Sequence, residues 1–316
     1  MRPDPVAQAL ARAISDATEV HFEPTAVEPV GGGCIHTALR IRGETAQGER
    51  SYFAKVNDAD RAPMFAAEAE GLAALAEAKG PGSAGKSETA GEPGPVRVPR
   101  VIARGEDDER AWLVLEWLDL APLSPSAAGR LGAALAALHA IPREKFGWAH
   151  DNFIGASPQV NGWSEEWLPF WRDRRLAAQL RLAAHNRLPS RMIDRGERLA
   201  ADCEAFFRTY RPAKSLLHGD LWGGNAAALA DGTTVVFDPA VYVGDREADV
   251  AMTELFGGFP KDFAAAYRSA LPMDAGYAVR RDFYNLYHVL NHANLFAGGY
   301  VRQAEQSIER LLAEIR

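Results

Sequence analysis

Leu217-His218-Gly219-Asp220-Leu221-Trp222-Gly223-Gly224-Asn225, followed closely by Val235-Val236-Phe237-Asp238-Pro239, is the stretch on which the reading of this chain turns. A short apolar run leads into a glycine-bearing turn that carries one carboxylate, Asp220. An amide, Asn225, stands five residues later, and a second carboxylate, Asp238, closes the next apolar run. A carboxylate beside an acceptor hydroxyl can take its proton. A carboxylate and an amide oxygen are the hard donors that Mg²⁺ prefers beside nucleotide phosphates. The plain alternative is a glycine-rich turn with an Asp cap and a buried histidine, and four elements in register argue against it.

His-x-Asp, an Asn five residues after that Asp, and an Asp at the next strand end is the spacing of a kinase catalytic loop with its metal aspartate. Partners are therefore expected upstream. Gly31-Gly32-Gly33 sits between two short predicted strands, where backbone N–H groups can approach phosphate oxygens without side-chain clash. Lys55 lies inside the apolar strand Phe53-Ala54-Lys55-Val56 and needs a partner. Glu68 on the following helix is the expected one, because Glu70 lies about 200° round that helix and only one of them can face the strand. Residues 80–87 match the Walker A pattern through Gly80, Gly85, Lys86 and Ser87, but a helix precedes them and Gly-Glu-Pro-Gly-Pro follows. The mechanism of that motif demands a strand before and a helix after, so Lys86 reads as a loop charge.

Outward from these motifs, the chain divides into two characters. Residues 25–30, 37–41, 51–56, 96–102 and 111–117 read as strands, with a long helix over 64–78. Residues 79–95 are rich in Gly, Pro and Ser and read as a dispensable, disordered loop. Helical periodicity then dominates over 125–140, 165–186, 190–210, 248–256, 261–271, 278–296 and 301–315, with a β island at 215–217 and 235–237. The expectation is an α+β, bilobal, protein-kinase-like fold. Residues 1–117 form a nucleotide-binding lobe, residues 118–316 form a helical catalytic and substrate lobe, and the cleft between them is the ligand site. The 316 residues have 35 Lys+Arg against 42 Asp+Glu, a net charge of −7 that disfavours a nucleic-acid partner. Two cysteines, Cys34 and Cys203, give no disulfide framework or zinc spacing. No apolar stretch is long enough for a membrane span, and residues 1–20 read as an amphipathic helix and not a signal peptide, so a cytoplasmic protein without a membrane partner is expected.

With those residues in view, the sequence resembles the fructosamine kinase (ketosamine 3-kinase) family, within the aminoglycoside-phosphotransferase-like branch of the kinase fold. Residues 31–36, 146–179, 218–225, 238–251 and 284–296 carry the resemblance, which extends over nearly the whole chain. The run Asn152, Ile154-Gly155, Gln159, Asn161 and Trp163, with Arg175-Leu176 and Gln179, is its most specific part. The resemblance implies ATP- and Mg²⁺-dependent phosphorylation of the 3-hydroxyl of a small-molecule or protein-bound ketosamine, a deglycation repair. It casts Asp220 as base, Asn225 and Asp238 as metal ligands, and Lys55 with Glu68 as the phosphate-holding pair. Trp222 becomes a face for the sugar, against the alternative of a core indole, and Glu116, Trp117 and Leu118 become the connector whose backbone meets adenine.

Asp249, on the helix after Asp238, is expected to brace the catalytic loop through backbone N–H groups. His288 and His292 share a helix face and are as readily core or surface histidines as substrate contacts. Cys34 in the glycine run is either a small packing residue or an oxidisable thiol. A protein kinase needs a long activation segment ending in Ala-Pro-Glu, whereas only ten residues separate Asp238 from Asp249. An aminoglycoside or other amino-alcohol phosphotransferase needs acids around its pocket, for which Asp245, Glu247 and Glu254 are the candidates. A nucleotide-binding scaffold without turnover usually lacks one of Asp220, Lys55, Asn225 and Asp238, and all four are present.

Overall fold

The computed structural model describes residues 5–31, 35–78 and 96–315. Gly32, Gly33, Cys34 and the 79–95 stretch, with Lys86, lie outside the described residues. The chain opens with α1 (Pro5–Thr18), then three strands, β1 (Glu23–Pro29), β2 (Thr37–Thr45) and β3 (Gly48–Asp58), and α2 (Ala62–Glu77). Two more strands, β4 (Val101–Glu106) and β5 (Arg110–Glu116), complete a five-stranded antiparallel sheet in the order β1-β2-β3-β5-β4.

Alternation along the central strands decides what each face meets. On β5, Trp112 and Val114 pack with Leu10 and Ile14 of α1, whereas Ala111, Leu113 and Leu115 pack with Phe65, Leu72 and Leu75 of α2. Both faces are covered, which is why β5 is a continuous apolar run. On β3, Ala54 and Val56 face α1, so Lys55 between them faces α2. The run 96–102, expected as a strand, is one only from Val101 onward. Val96 and Val98 instead bury themselves in the α2 core, joined to the rest of the chain by a parallel bridge from Arg97 to Val235.

The second half begins with α3 (Pro125–His139), which Ser124 caps by accepting from the Ala127 N–H at 3.2 Å. A small hairpin follows, β6 (Asn152–Ile154) and β7 (Ser157–Gln159). The expected helix over 165–186 is α4 (Trp167–Trp171) and α5 (Ala177–His185), joined by one widened turn at Arg172–Leu176 that sends Arg175 inward. The helix expected over 190–210 stops at Ala201 as α6 (Ser190–Ala201), and a short 3₁₀ segment, Cys203–Phe207, continues it. Two short ladders then surround the glycine-bearing loop: β8 (Ser215–Leu217), β9 (Ala226–Ala228), β10 (Thr234–Val236) and β11 (Tyr242–Gly244), pairing as β8 with β11 and β9 with β10. Helices α7 (Arg246–Leu255), α8 (Lys261–Ala270), α9 (Tyr277–Phe296) and α10 (Gly299–Glu314) complete the chain.

One apolar core runs from α2 and β5 through Leu131 and Leu135 of α3 to Leu216, Val236 and Phe263, so the two halves share it. Among the described residues no helix is long and apolar enough to cross a membrane.

Candidate active site

Two ladders bring the loop residues together. The β9–β10 pairing extends one step past Val236, where the Phe237 N–H donates to the Asn225 carbonyl at 3.1 Å. Asn225 and Asp238 are therefore neighbours at the end of one hairpin. On the other side, the Ala240 N–H donates to His218 O at 2.8 Å, beside the β8–β11 ladder. Gly219 has φ +83° at this point, and a Cβ there would overlap the Ala240 carbonyl, so only glycine fits.

The His218 ring ties the two carboxylate positions together. Its Nε2–H donates to the Phe237 carbonyl at 3.0 Å, which leaves Nδ1 to accept the Asp220 N–H at 3.3 Å. Burial keeps this imidazole below its ordinary pKa, hence neutral, as that tautomer requires. Asp249 accepts from the backbone N–H groups of His218 (2.7 Å) and Gly219 (2.8 Å) and from His139 Nε2 (3.2 Å). Burial opposes its charge, but the His139 ring and these N–H groups hold the carboxyl below the usual range. Asp249 thus sits as the expected brace. Its partner His139, which in turn meets Tyr267 Oη at 2.9 Å, carries no sequence signal beyond the end of a helix.

Lys55 reaches the loop from the sheet. Its Nζ lies 2.7 Å from Glu68 Oε1 and 2.7 Å from Asp238 Oδ1, and the residue is only 6% exposed. Burial works against the ammonium, but the two carboxylates outweigh it and hold Lys55 charged. Burial, with the Asp238 charge adding to it, raises the Glu68 carboxyl. Glu70 faces elsewhere, as the helix geometry requires: it accepts from Trp148 Nε1 at 2.9 Å and pairs with His150 Nε2 at 2.7 Å. That strap, which the sequence reading did not contain, ties α2 to the second half.

Asp220 is half-buried, with Asn225 Nδ2 donating to its carbonyl at 2.9 Å and to Oδ2 at 3.3 Å. Burial, reinforced by the negative Asp238, pushes its carboxyl up to about 7. Asp238 adopts φ +58°, a left-handed backbone that is costly for a residue with a Cβ and is held here by the hairpin end. Trp222 is 39% exposed, so it is no core indole. Gly31 is exposed in open space at the end of β1. Glu116, Trp117 and Leu118 lead out of β5. The Glu116 N–H is already given to Arg100 O at 2.9 Å, which leaves only the rest of that connector's backbone for a ligand.

The amide-rich stretch is buried under the loop and does not face the cleft. Asn152 Nδ2 donates to Val241 O at 2.7 Å and Gln159 Nε2 to Ala240 O at 3.0 Å. Asn161 Nδ2 meets Asn152 Oδ1 at 2.8 Å, and Arg175 Nη2 meets Asn161 Oδ1 at 2.8 Å. The Arg175 guanidinium lies 4.1 Å from the Tyr242 ring centre and 4.7 Å from that of Phe170. Gln179 Nε2 continues the network to Asn291 Oδ1 at 3.3 Å. Asp245 caps α7 and accepts from Tyr210 and Tyr284, Glu247 is clamped by Arg280 at 2.7 and 3.0 Å, and Glu254 binds Arg268, Arg281 and Tyr277. A separate groove of about 720 Å³, lined by Ala74, Glu77, Arg143, Trp148 and Trp163, touches none of the loop residues.

A helix-flanked antiparallel sheet that presents a lysine to a loop bearing two carboxylates and an amide defines a protein-kinase-like phosphotransferase. An aminoglycoside phosphotransferase shares that fold with a TM-score of 0.54 at 13% identity. The chain belongs to the fructosamine kinase family, whose model matches residues 6–314. It is 41% identical over 310 residues to a protein of Synechocystis sp. named as a probable ketoamine kinase, covering 96% of each chain. With the chloroplastic protein-ribulosamine 3-kinase of Arabidopsis thaliana it shares 35% identity over 295 residues, covering 92% of this chain and 84% of that one. A solved structure from Thermobifida fusca named for fructosamine-3-kinase superposes with a TM-score of 0.78 at 30% identity, covering 96% and 99% of the two chains.

Proposed function

We propose that this chain is an ATP- and Mg²⁺-dependent kinase that phosphorylates the 3-hydroxyl of ketosamines and so repairs glycation. Residues 1–117 hold the nucleotide and residues 118–316 hold the acceptor. The observation that carries the reading is the meeting of Lys55, Glu68 and Asp238 within hydrogen-bonding distance, beside Asp220 and Asn225. The family match supplies the substrate class.

Asp220 is placed to accept the proton of the acceptor hydroxyl, and a carboxyl raised to about 7 by burial and by Asp238 suits a general base at neutral pH. The hydroxyl oxygen bonds to the γ-phosphorus as the bond to the β–γ bridging oxygen breaks, and ADP departs. Lys55, oriented by Glu68, neutralises the α/β-phosphates, and the glycine run 31–33 is the stretch expected from its sequence to meet them. Glu116 to Leu118 meet the adenine, and Trp222 gives the sugar a flat face. The donor set fits Mg²⁺: Asn225 Nδ2 points to Asp220, leaving its amide oxygen free, and the Asp238 side chain is 43% exposed with one oxygen on Lys55. Asn225 and Asp238 would hold the ion, with phosphate oxygens and water as its further ligands. When bound, the ion neutralises charge that develops on the β/γ-phosphates. The acids an aminoglycoside pocket requires are already committed: Asp245 to two tyrosines, Glu247 to Arg280, and Glu254 to Arg268, Arg281 and Tyr277.

ADP release measured with small ribulosamines and fructosamines, against kanamycin and choline, tests the reading. Turnover of the ketosamines is expected, and turnover of kanamycin or choline alone overturns it. Asp220→Asn is expected to lower kcat by roughly 10²–10⁴-fold while nucleotide binding persists. A loss below tenfold removes Asp220 as the base.

A further inference from the structure

Large exposed apolar side chains are few among the described residues: Leu120, Trp163, Trp222, Phe256 and Phe296. Three of the five belong to one row that begins two residues after Asp220. Trp222 meets Phe256 edge-on, with centroids 6.3 Å apart at 84°. Phe256 lies 4.9 Å from the His292 ring, and His292 lies 5.7 Å from Phe296 and 5.0 Å from Tyr300. The near end is held by backbone. Gly223 approaches Gly257 and Gly258 so closely that a Cβ on it would meet Gly257 O and Gly258 Cα at 3.0 Å, which seats the α7 exit on the catalytic loop and Phe256 beside Trp222. The far end lies near the sheet, because Leu295 of α9 and Ile35 of the β1–β2 connection both come within 3.3 Å of the space beside Gly155.

The row carries no fixed charge. His292 Nδ1–H donates to His288 O at 2.8 Å, and burial lowers the ring's pKa, so it stays neutral and repels no ammonium. In a ketosamine the amine sits on C1 and the reacting hydroxyl on C3, so the amine-derived part leaves the sugar close to the phosphorylated oxygen. We propose that the ring row leading away from Trp222, through Phe256 and His292 to Phe296 and Tyr300, is the subsite for that amine-derived part, and that it selects ketosamines of amines with apolar or aromatic side chains. This rests on the ketosamine reading above. Exposed ring faces favour such a ligand through burial and through contact with its secondary ammonium.

The test compares the ribulosamines of glycine and phenylalanine in wild type, Phe296→Ala and Phe256→Ala. In wild type the phenylalanine adduct is expected to have a KM about tenfold lower than the glycine adduct, the scale of partial burial of one ring. In the variants that preference falls towards unity, and melting curves matching that of the wild type certify folding. Equal KM values in wild type, or a preference that survives both substitutions, overturns the subsite and leaves the kinase reading intact. Turnover of neither adduct, nor of any other ketosamine, overturns the function and the subsite with it.

Discussion

His288 is buried in the middle of α9, and its Nδ1 has no hydrogen-bond partner. Burial pushes its pKa down to about 3. The unfolded chain protonates this ring below its ordinary value of 6.5, whereas the folded chain does not until about 3, so the unfolded state binds more protons between those values. Stability is therefore complete above pH 6.5 and is lost as the pH falls. At pH 5 the ring accounts for about 2 kcal/mol of that loss. Urea unfolding of wild type and His288→Gln at pH 7.5 and pH 5 measures it: the variant is expected to lose less on acidification. The same burial removes His288 from the candidate substrate contacts, while His292, one turn on, stands in the exposed ring row. Gly219→Ala is expected to abolish activity and to destabilise the fold by more than about 3 kcal/mol, because a Cβ collides with the Ala240 carbonyl and φ is positive. Soluble yield and a melting curve check this.

Among the elements, the β6–β7 hairpin and the widened turn before α5 act as a polar shelf beneath the loop. Arg175 is fully buried and binds only carbonyl and amide oxygens and ring faces. Arg175→Met leaves Asn161 Oδ1 and Val160 O without their donor, which is expected to cost about 3 kcal/mol. The loss also lowers kcat, because Ala240 and Val241 rest on that shelf two and three residues after Asp238. Arg175→Lys does not rescue either, since an ammonium cannot span both oxygens while stacking on Tyr242. Urea midpoints and kcat for the pair decide it. The Lys55–Glu68 pair was legible because strand alternation and helix angle each leave one choice. The shelf was not: its residues were visible as a family signature, but three-residue strands have no period to read, and an amide looks the same facing a cleft or a core. The row through Phe256 and Phe296 was hidden for a related reason, as rings at helical spacing usually mark a core.

For the molecule as a whole, Lys55 joins positions 183 residues apart, linking the sheet to the loop. On the proposed reading, a nucleotide held by Lys55 and an ion held by Asp238 would be bound by two side chains already in contact, so their binding would be coupled across both halves. ATP with Mg²⁺ at about a hundred times its Kd is expected to add about 2.7 kcal/mol of stability. Asp238→Asn is expected to keep the increment given by ATP alone and to lose the part that depends on Mg²⁺, as a thermal-shift titration reads directly. The change from strands to helices near Ala121 was legible in the periodicity, whereas the core that crosses it was not, since it is built from contacts far apart in sequence. That seam has a practical side. Phe65, Leu72 and Leu113 are covered partly by Leu131, Leu135 and Val236 from beyond residue 118. A fragment ending at 117, or a chimera that grafts it onto a foreign helical half, would carry a bare oily flank into solution and clump before it could bind anything.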